Sequence, residues 1–392
     1  MTTWVGIDVA KDVHWVCALD ASGQVRLSRA VPNTQQEIDA LSAELRTLPA
    51  PVLVGLDVDG SIAAFLQAIL LADALDLRHV PGIAVNRAAH GYRGGERKSD
   101  PTDARVIADL VRTRPDLRAI QPDDDATATL RLLVSRRRDL VADQTRRISR
   151  LRQLIGQAHP ALEAKLDLTC KAPLALLTRY VTPSDIRGAT EKAITRHLRR
   201  TPNLREPERI AALAKACAAE QRIIIPGEAT IARLVREMAT EALAVRDRLG
   251  SLDRELEDLV TAHPKGALVR SLPGMGAVLA AEFIATAGDI TRFRSPAALA
   301  AAAGLAPVLR QSGRSMTLRR ARRGDRDLKR IFYLSAFAAC SAHAESRAYY
   351  DRKRREGKHH AQALIALARQ RTNVLWAMLT NGTTYSPTHR AA

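Results

Sequence analysis

The first 120 positions alternate short apolar runs with longer amphipathic ones. Positions 4–9, 14–19 and 25–31 carry the β-branched and aromatic residues of strands, and Ala21-Ser22-Gly23 reads as a turn. Asn33 or Thr34 can cap a helix that runs to about Arg46. Pro51 precedes the apolar run 52–56, a buried strand that ends in Asp57. Positions 61–75 have helical spacing and 77–80 form a further short strand. The loop around Gly91, Gly94 and Gly95 then leads into a helix that begins near Asp100. Three strands, a helix, then strand–helix–strand–helix predict an α/β layer on a mixed sheet.

From position 126 the period becomes helical. Leu130, Leu133, Leu140, Ile148, Leu151 and Ile155 recur on one face with arginines on the others. A second long helix over 229–262 presents Leu249, Leu252, Leu256 and Leu259. Such a pair predicts a helical hairpin or a dimer-forming coiled coil. Between them Pro173, Pro183, Pro202, Pro207 and Pro226 break the chain into short helices. Positions 263–392 read as all-α, with glycine turns. Three segments result: 1–125, 126–262 and 263–392.

Composition adds a partner class. Aromatics are only 4% of a chain that is 46% hydrophobic, which favours helices and leaves room for one modest sheet. No apolar run approaches the ~20 residues of a membrane span, and no basic-then-apolar leader opens the chain, so a cytoplasmic protein is expected. Cys17, Cys170, Cys217 and Cys340 are too far apart for a zinc knuckle and read as buried free thiols. The net charge of +18 is unevenly spread. Residues 1–125 hold 13 Lys/Arg against 18 Asp/Glu, a net of −5, and the remainder carries +23. An acidic domain joined to a basic body points to a polyanion partner.

Candidate chemistry lies in the acidic part. Asp8 and Asp57 each end a strand, and parallel neighbours would bring both to one sheet edge. Asp100 and Asp103 share one face of a helix start. Four converging carboxylates repel unless divalent cations sit between them, and Mg²⁺ prefers oxygen ligands of this kind. Asp100-Pro101-Thr102-Asp103 also suits an ordinary capped helix start. In the basic part, Ser271-Leu272-Pro273-Gly274-Met275-Gly276 before an apolar helix resembles a helix-hairpin-helix, whose free amides would meet a phosphate. Ser312 precedes a cluster of cations, Arg314, Arg319, Arg320, Arg322, Arg323, Arg326, Lys329 and Arg330. Alone, that serine reads as a loop residue. Tyr349 and Tyr350 precede Arg352-Lys353-Arg354-Arg355, with no base legible beside either hydroxyl.

Val5-Gly6-Ile7-Asp8-Val9-Ala10-Lys11, the strand ending at Asp57, and Lys98-Ser99-Asp100-Pro101-Thr102-Asp103-Ala104 together resemble the DEDD transposases of the IS110 insertion-sequence family, relatives of the Piv invertases. The resemblance extends through Leu272-Pro273-Gly274-Met275-Gly276, Ala303-Gly304-Leu305-Ala306-Pro307, Gln311-Ser312-Gly313, Leu328-Lys329-Arg330 and Leu334-Ser335-Ala336-Phe337. It implies an RNase H-like (RuvC-like) N-terminal domain whose Asp8, Asp57, Asp100 and Asp103 bind Mg²⁺ or Mn²⁺. It also implies a C-terminal transposase domain with Ser312 as nucleophile, DNA as substrate, an element-encoded guide RNA, and a homodimer or homotetramer. Two departures stand out. The second acid is usually Glu, whereas Leu56-Asp57-Val58-Asp59 offers Asp57 with Asp59 in reserve. The usual Ser-Lys-x-Gly-Asn becomes Ala321-Arg322-Arg323-Gly324-Asp325. No Gly-x-x-x-x-Gly-Lys-Ser/Thr loop is present, so no nucleotide cofactor is expected. A Holliday-junction-type nuclease, using the acids and water, and a catalytically inactive nucleic-acid-binding relative are the alternatives.

Overall fold

The computed structural model describes residues 2–91, 99–121, 124–313, 315–319 and 321–387. Gly94, Gly95, Lys98, Arg314 and Arg320 lie outside the described residues. The chain divides into two units, Met1–Asp124 and Asp125–Ala392.

The first unit runs β1 (Thr3–Asp8), β2 (Val13–Leu19), β3 (Val25–Pro32), α1 (Gln35–Thr47), β4 (Val52–Leu56), α2 (Ala64–Ala72), β5 (Asp76–His79), α3 (Gly82–Ala89), α4 (Asp100–Thr113) and β6 (Arg118–Ala119). The sheet order is β3-β2-β1-β4-β5-β6. β1, β4 and β5 are mutually parallel, while β2, β3 and β6 run antiparallel to their neighbours. The mixed sheet is the one the apolar runs predict. Short α3 and two-residue β6 were not legible in the pattern.

Period-two alternation sorts the strands onto two faces. Val5, Ile7, Val54 and Leu56 bury against Ile38, Leu41 and Leu45 of α1 and Leu66 and Leu70 of α2. Trp4, Gly6 and Asp8, with Leu53, Gly55 and Asp57, therefore face the other side, where α4 packs. Gly6 pairs with Gly55 in the β1–β4 register, and these two residues let the helix lie close. A Cβ on Gly6 would stand 2.2 Å from the Ala104 carbonyl oxygen and 2.3 Å from the Ala108 nitrogen.

The second unit is mostly helical. α5 (Asp125–Ala158) leads through short α6 (Pro160–Lys165), α7 (Lys171–Leu177), α8 (Pro183–Gly188), α9 (Glu191–Leu198) and α10 (Pro207–Glu220) to α11 (Glu228–Ala262). The two long helices are an antiparallel hairpin. Arg137 pairs with Asp253 at 2.6 Å, and Arg147 pairs with Glu241 at 3.1 Å farther along. They pass through two cores. Ile148, Leu151 and Ile155 join Val235, Ala239 and the short helices in one. Leu130, Val134, Leu252 and Leu256 join Phe283, Phe332 and Leu375 in the other, so that core draws on both sides of position 262.

The C-terminal stretch contains α12 (Gly266–Ser271), α13 (Ala277–Ala287), α14 (Pro296–Ala302), β7 (Val308–Ser312), β8 (Ser315–Arg319), α15 (Arg326–Ala342), α16 (Ala344–Arg355) and α17 (His360–Asn381). The expectation of an all-α segment is corrected here, because β7 and β8 pair into an antiparallel ribbon. Every residue of both strands is exposed, so neither face of the ribbon is buried in a core. The thiols also need correction. Cys17 and Cys217 are buried, but Cys340 is only half-buried and Cys170 is exposed. Among the described residues, no helix is long and apolar enough to cross a membrane.

Candidate active site

Ile7 pairs with Leu56, so Asp8 and Asp57 emerge side by side from neighbouring parallel strands. Each follows one of the paired glycines by two residues and so starts from the α4 face. The Val9 N–H donates to Asp57 Oδ1 at 3.4 Å. His14 is buried and its Nδ1 accepts from the Ala10 N–H at 3.3 Å. Burial pushes the pKa of this imidazole below its usual 6.5.

The direction of α4 decides where the second acidic pair lies. The Arg112 guanidinium, near the helix C-terminus, packs over Gly23. Gly23 follows Leu19, the partner of Trp4 at the opening end of β1. The helix therefore runs opposite to β1, and its first turn points to the Asp8–Asp57 edge. Ala104 and Ala108 contact Gly6. One helical turn back from Ala104 spans ~5.4 Å, and two strand residues on from Gly6 span ~6.6 Å, so Asp100 reaches the level of Asp8 and Asp57 while Asp103 stays nearer that of Gly6.

Ser99 is the N-cap of α4, with Asp100 and Asp103 inside the first turn. Asp100 is thus not the capping residue. Among the described residues neither carboxylate has a hydrogen-bond or ion-pair partner. Asp59 is engaged elsewhere, in an ion pair with Arg118 of β6. The two acidic pairs supply only hard oxygen donors, the type that Mg²⁺ and Mn²⁺ prefer. Among the described residues no three His, Cys, Asp or Glu side chains are grouped to hold one ion. The four acids suit a divalent cation in donor type, but they stand as two pairs rather than as one group of three or more.

Ser312 ends β7, opposite Ser315, across a turn in which Gly313 has φ +56°. The register makes the ribbon two-faced. Ser312, Arg310, Ser315, Thr317 and Arg319 share one side, and Leu309, Met316 and Leu318 share the other with Gln311. Its base is pinned by two glycines in contact. A Cβ on Gly304 would lie 2.5 Å from the Arg323 carbonyl oxygen, and one on Gly324 would lie 2.5 Å from the Gly304 nitrogen. Asp325 caps α15, accepting from the Asp327 and Leu328 amides at 2.8 and 3.0 Å. The departure to Ala321-Arg322-Arg323-Gly324-Asp325 therefore keeps a capping oxygen and the needed glycine.

The predicted cations divide. Arg319, Arg322, Arg323 and Lys329, with Arg326, line one cleft of about 610 Å³. Arg310, which the sequence did not single out as a cation, lines an adjoining cleft of about 550 Å³. Arg330 instead pairs at 2.7 Å with Glu282, a buried carboxylate. Gly274 and Gly276 lie apart from this cluster, beside Asp253, Arg254 and Glu257. Gly274 adopts φ +77° and faces inward, where a Cβ would stand 2.6 Å from the Ser335 carbonyl oxygen. Buried Arg371 donates to that turn through the Pro273 carbonyl and to Ser335 Oγ at 2.6 Å. Burial lowers its pKa to about 10. Gly276 caps α13 with open space over it. The tyrosines gain a neighbour that the sequence concealed, because Tyr350 Oη and His360 Nδ1 are hydrogen-bonded at 2.7 Å.

Comparison with known proteins joins the two halves. Residues 5–160 match a DEDD family model described as "Transposase", and residues 266–351 match one described as "Transposase IS116/IS110/IS902 family". The chain is 40% identical to an insertion element IS116 protein of Streptomyces clavuligerus, over 98% of this chain and 96% of the relative. An insertion element IS900 protein of Mycobacterium paratuberculosis is 41% identical over 98% and 97%. The chain belongs to the IS110 family of transposases. A mini-circle putative transposase for IS117 from Streptomyces coelicolor is a more distant relative, 27% identical over 93% of this chain and 90% of its own. As a family member this transposase is an enzyme of DNA recombination. The DEDD domain implies an RNase H-like fold, with which the mixed sheet of the first unit agrees.

Proposed function

We propose that this transposase cuts and rejoins DNA with Ser312 as nucleophile, and that Asp8, Asp57, Asp100 and Asp103 hold Mg²⁺ or Mn²⁺ for the reaction. The observation that carries the reading is the exit of Asp8 and Asp57 side by side from neighbouring parallel strands, with the first turn of α4, which holds Asp100 and Asp103, directed toward that edge. A bound divalent cation would supply charge neutralisation at a phosphodiester and would lower the pKa of an attacking hydroxyl. Asp57 is preferred to Asp59 because it follows β4 directly, at the position beside Asp8.

Ser312 Oγ forms a bond to phosphorus while one deoxyribose oxygen leaves, and the serine proton ends on that oxygen. The phosphodiester energy is kept in the protein–DNA ester, so religation needs no nucleotide cofactor. Arg310 and Arg319, on the same ribbon face, oppose the charge that develops on the phosphate. Arg322, Arg323 and Lys329 hold the flanking backbone, with Arg314 and Arg320 assigned the same role by sequence. Gly276, with Gly274 shaping the turn, gives a helix-hairpin-helix-like phosphate contact at α13. An element-encoded guide RNA supplies sequence selection, leaving the protein to read backbone and shape. Two DNA sites require two centres, hence a homodimer or homotetramer, acting in the bacterial cytoplasm.

A junction nuclease would use the acids with water and would not need Ser312. Wild type, Ser312→Ala and Tyr350→Phe are incubated with labelled DNA, guide RNA and Mg²⁺, then denatured. Label on protein in the wild type and Tyr350→Phe, and none with Ser312→Ala, is the expected pattern. Undiminished nicking by Ser312→Ala without any adduct in the wild type would favour the nuclease. An adduct lost only in Tyr350→Phe would move the nucleophile to Tyr350, with His360 as its base.

A further inference from the structure

At the end of the α15–α16–α17 layer three aromatic rings stand together, and among the described residues no element covers Phe337. Phe337, on α15, keeps 53% of its surface exposed. The same helix buries Leu328, Ile331 and Phe332. The Phe337 ring meets the exposed His360 ring edge-on, with centroids 6.5 Å apart and planes at 89°. His360 in turn meets Tyr350 edge-on at 5.7 Å, and the 2.7 Å hydrogen bond between them sets the orientation of both rings. A half-exposed phenylalanine forgoes the stabilisation that burial would give, and here it is held beside His360, whose ring Tyr350 orients.

Arg347 lies over the Tyr350 ring, 5.9 Å from its centre, and further cations follow along α16. The last turn of α16 is Arg352-Lys353-Arg354-Arg355. Arg352 and Lys353 stack over Tyr349, at 4.9 and 5.6 Å from the ring centre, and share Glu356 as counter-ion. Asp351 is taken by Arg347 at 2.9 Å. Arg354 donates to the Lys358 carbonyl at 2.9 Å. Exposed Arg355 has no ion-pair partner among the described residues. The acids nearby are thus neutralised and positive charge is left over beside bare rings.

We propose that Phe337, Tyr350 and His360 form a stacking platform for unpaired bases of a nucleic-acid strand, whose phosphates are held by Arg354, Arg355 and Lys358. Rings beside cations suit a partner with both π faces and negative charge, and a nucleic acid has both. Duplex hides base faces within its stack, so the platform selects single strands. It uses none of the acids and not Ser312, so its failure would leave the cleavage chemistry untouched.

The test uses the full chain with labelled oligothymidylate, oligouridylate and a duplex of equal length, titrated by anisotropy at two salt concentrations. Phe337→Ala is expected to weaken single-strand binding about tenfold, with duplex binding within about twofold. Phe337→Trp should restore affinity, and its fluorescence should be quenched by the strand. Arg355→Gln should reduce the salt slope for the single strand by about 0.7. The two strands tell whether RNA or displaced DNA is favoured, and tight binding of either fits the platform. Unchanged single-strand affinity in Phe337→Ala would overturn the proposal, as would an equal loss for strand and duplex. A Phe337→Ala variant that loses only self-association would assign the face to a second copy of the chain.

Discussion

One methyl group added at Gly6 is expected to lift α4 from the sheet. The alanine Cβ would stand 2.2 Å from the Ala104 oxygen and 2.3 Å from the Ala108 nitrogen, both backbone atoms of the helix. No rotamer relieves that overlap, so the helix must retreat by more than about 1 Å to reach ordinary contact distance. Overpacking in a core costs about 1–3 kcal/mol, and a backbone-on-backbone clash belongs at about the upper end of that range. Gly55 is the built-in control. There the nearest atom is Val111 Cγ2 at 2.3 Å, a side chain that can repack, so Gly55→Ala should cost about 1–2 kcal/mol. Urea unfolding is followed by the fluorescence of Trp4 and Trp15 in a Trp376→Phe background, because Trp15 packs beside Ala104 and Ala108. That signal reports on the first unit alone, which matters in a chain with two units. The same retreat carries Asp100 and Asp103 away from Asp8 and Asp57, and a displacement of about 1 Å can cost about 100-fold in rate. The reasoning fails if Gly6→Ala unfolds with wild-type stability, or if Gly55→Ala proves the more damaging change.

Asp100→Ala and Asp103→Ala should each abolish metal-dependent strand cleavage. The stability cost stays below about 1 kcal/mol, since Ser99 is the cap and a first-turn acid contributes only the helix-dipole term; full cleavage by either variant in EDTA would sink the metal reading. Arg330→Ala strips Glu282, 1% exposed, of its partner and should cost about 3 kcal/mol, read as a fall in Tm. Adding Glu282→Gln should recover most of it, and a near-neutral Arg330→Ala that loses DNA binding would place Arg330 on the DNA surface instead. His14, His159 and His197 are all held below their usual 6.5 by burial. Below that value the unfolded chain takes up protons that the folded chain resists. Stability should therefore be full above about pH 6.5 and fall on acidification. Melts of the wild type and His159→Gln across this range should show a shallower acid loss in the variant, and superimposable profiles would count against it.

Local pattern carried much of the first unit. Val5, Ile7, Val54 and Leu56 have one place to go once their strands form, because period two sends all four to one face. Asp8 and Asp57 could be picked out because each ends an apolar run. That β1 and β4 are neighbours, that Gly6 meets Gly55, and that α4 runs opposite to β1 are long-range facts with no local signature. The acids were thus legible as single residues, while the adjacency of Asp8 and Asp57 was not. In the second unit the leucine stripes announced α5 and α11 but left hairpin and coiled coil equal. Pairs such as Arg137–Asp253 settle that choice.

The ribbon marks the limit of sequence reading most clearly. Val308, Leu309, Met316 and Leu318 are apolar yet exposed among six polar residues, so even the apolar side of the ribbon meets no core. What holds β7 and β8 in place is the Gly304–Gly324 contact at their base, between residues 20 positions apart. Arg330 looked equivalent to Arg322 and Arg323 in sequence, but a helix from another part of the chain brings Glu282 to it. By itself the sequence determined which elements form, where charge accumulates and which residue types are available for chemistry, because periodicity, composition and turn preference act over a few neighbouring positions. Tertiary structure alone decided which carboxylates share an edge, which arginines are already neutralised and which histidine meets Tyr350, because those outcomes depend on distances between segments that only the packed chain defines.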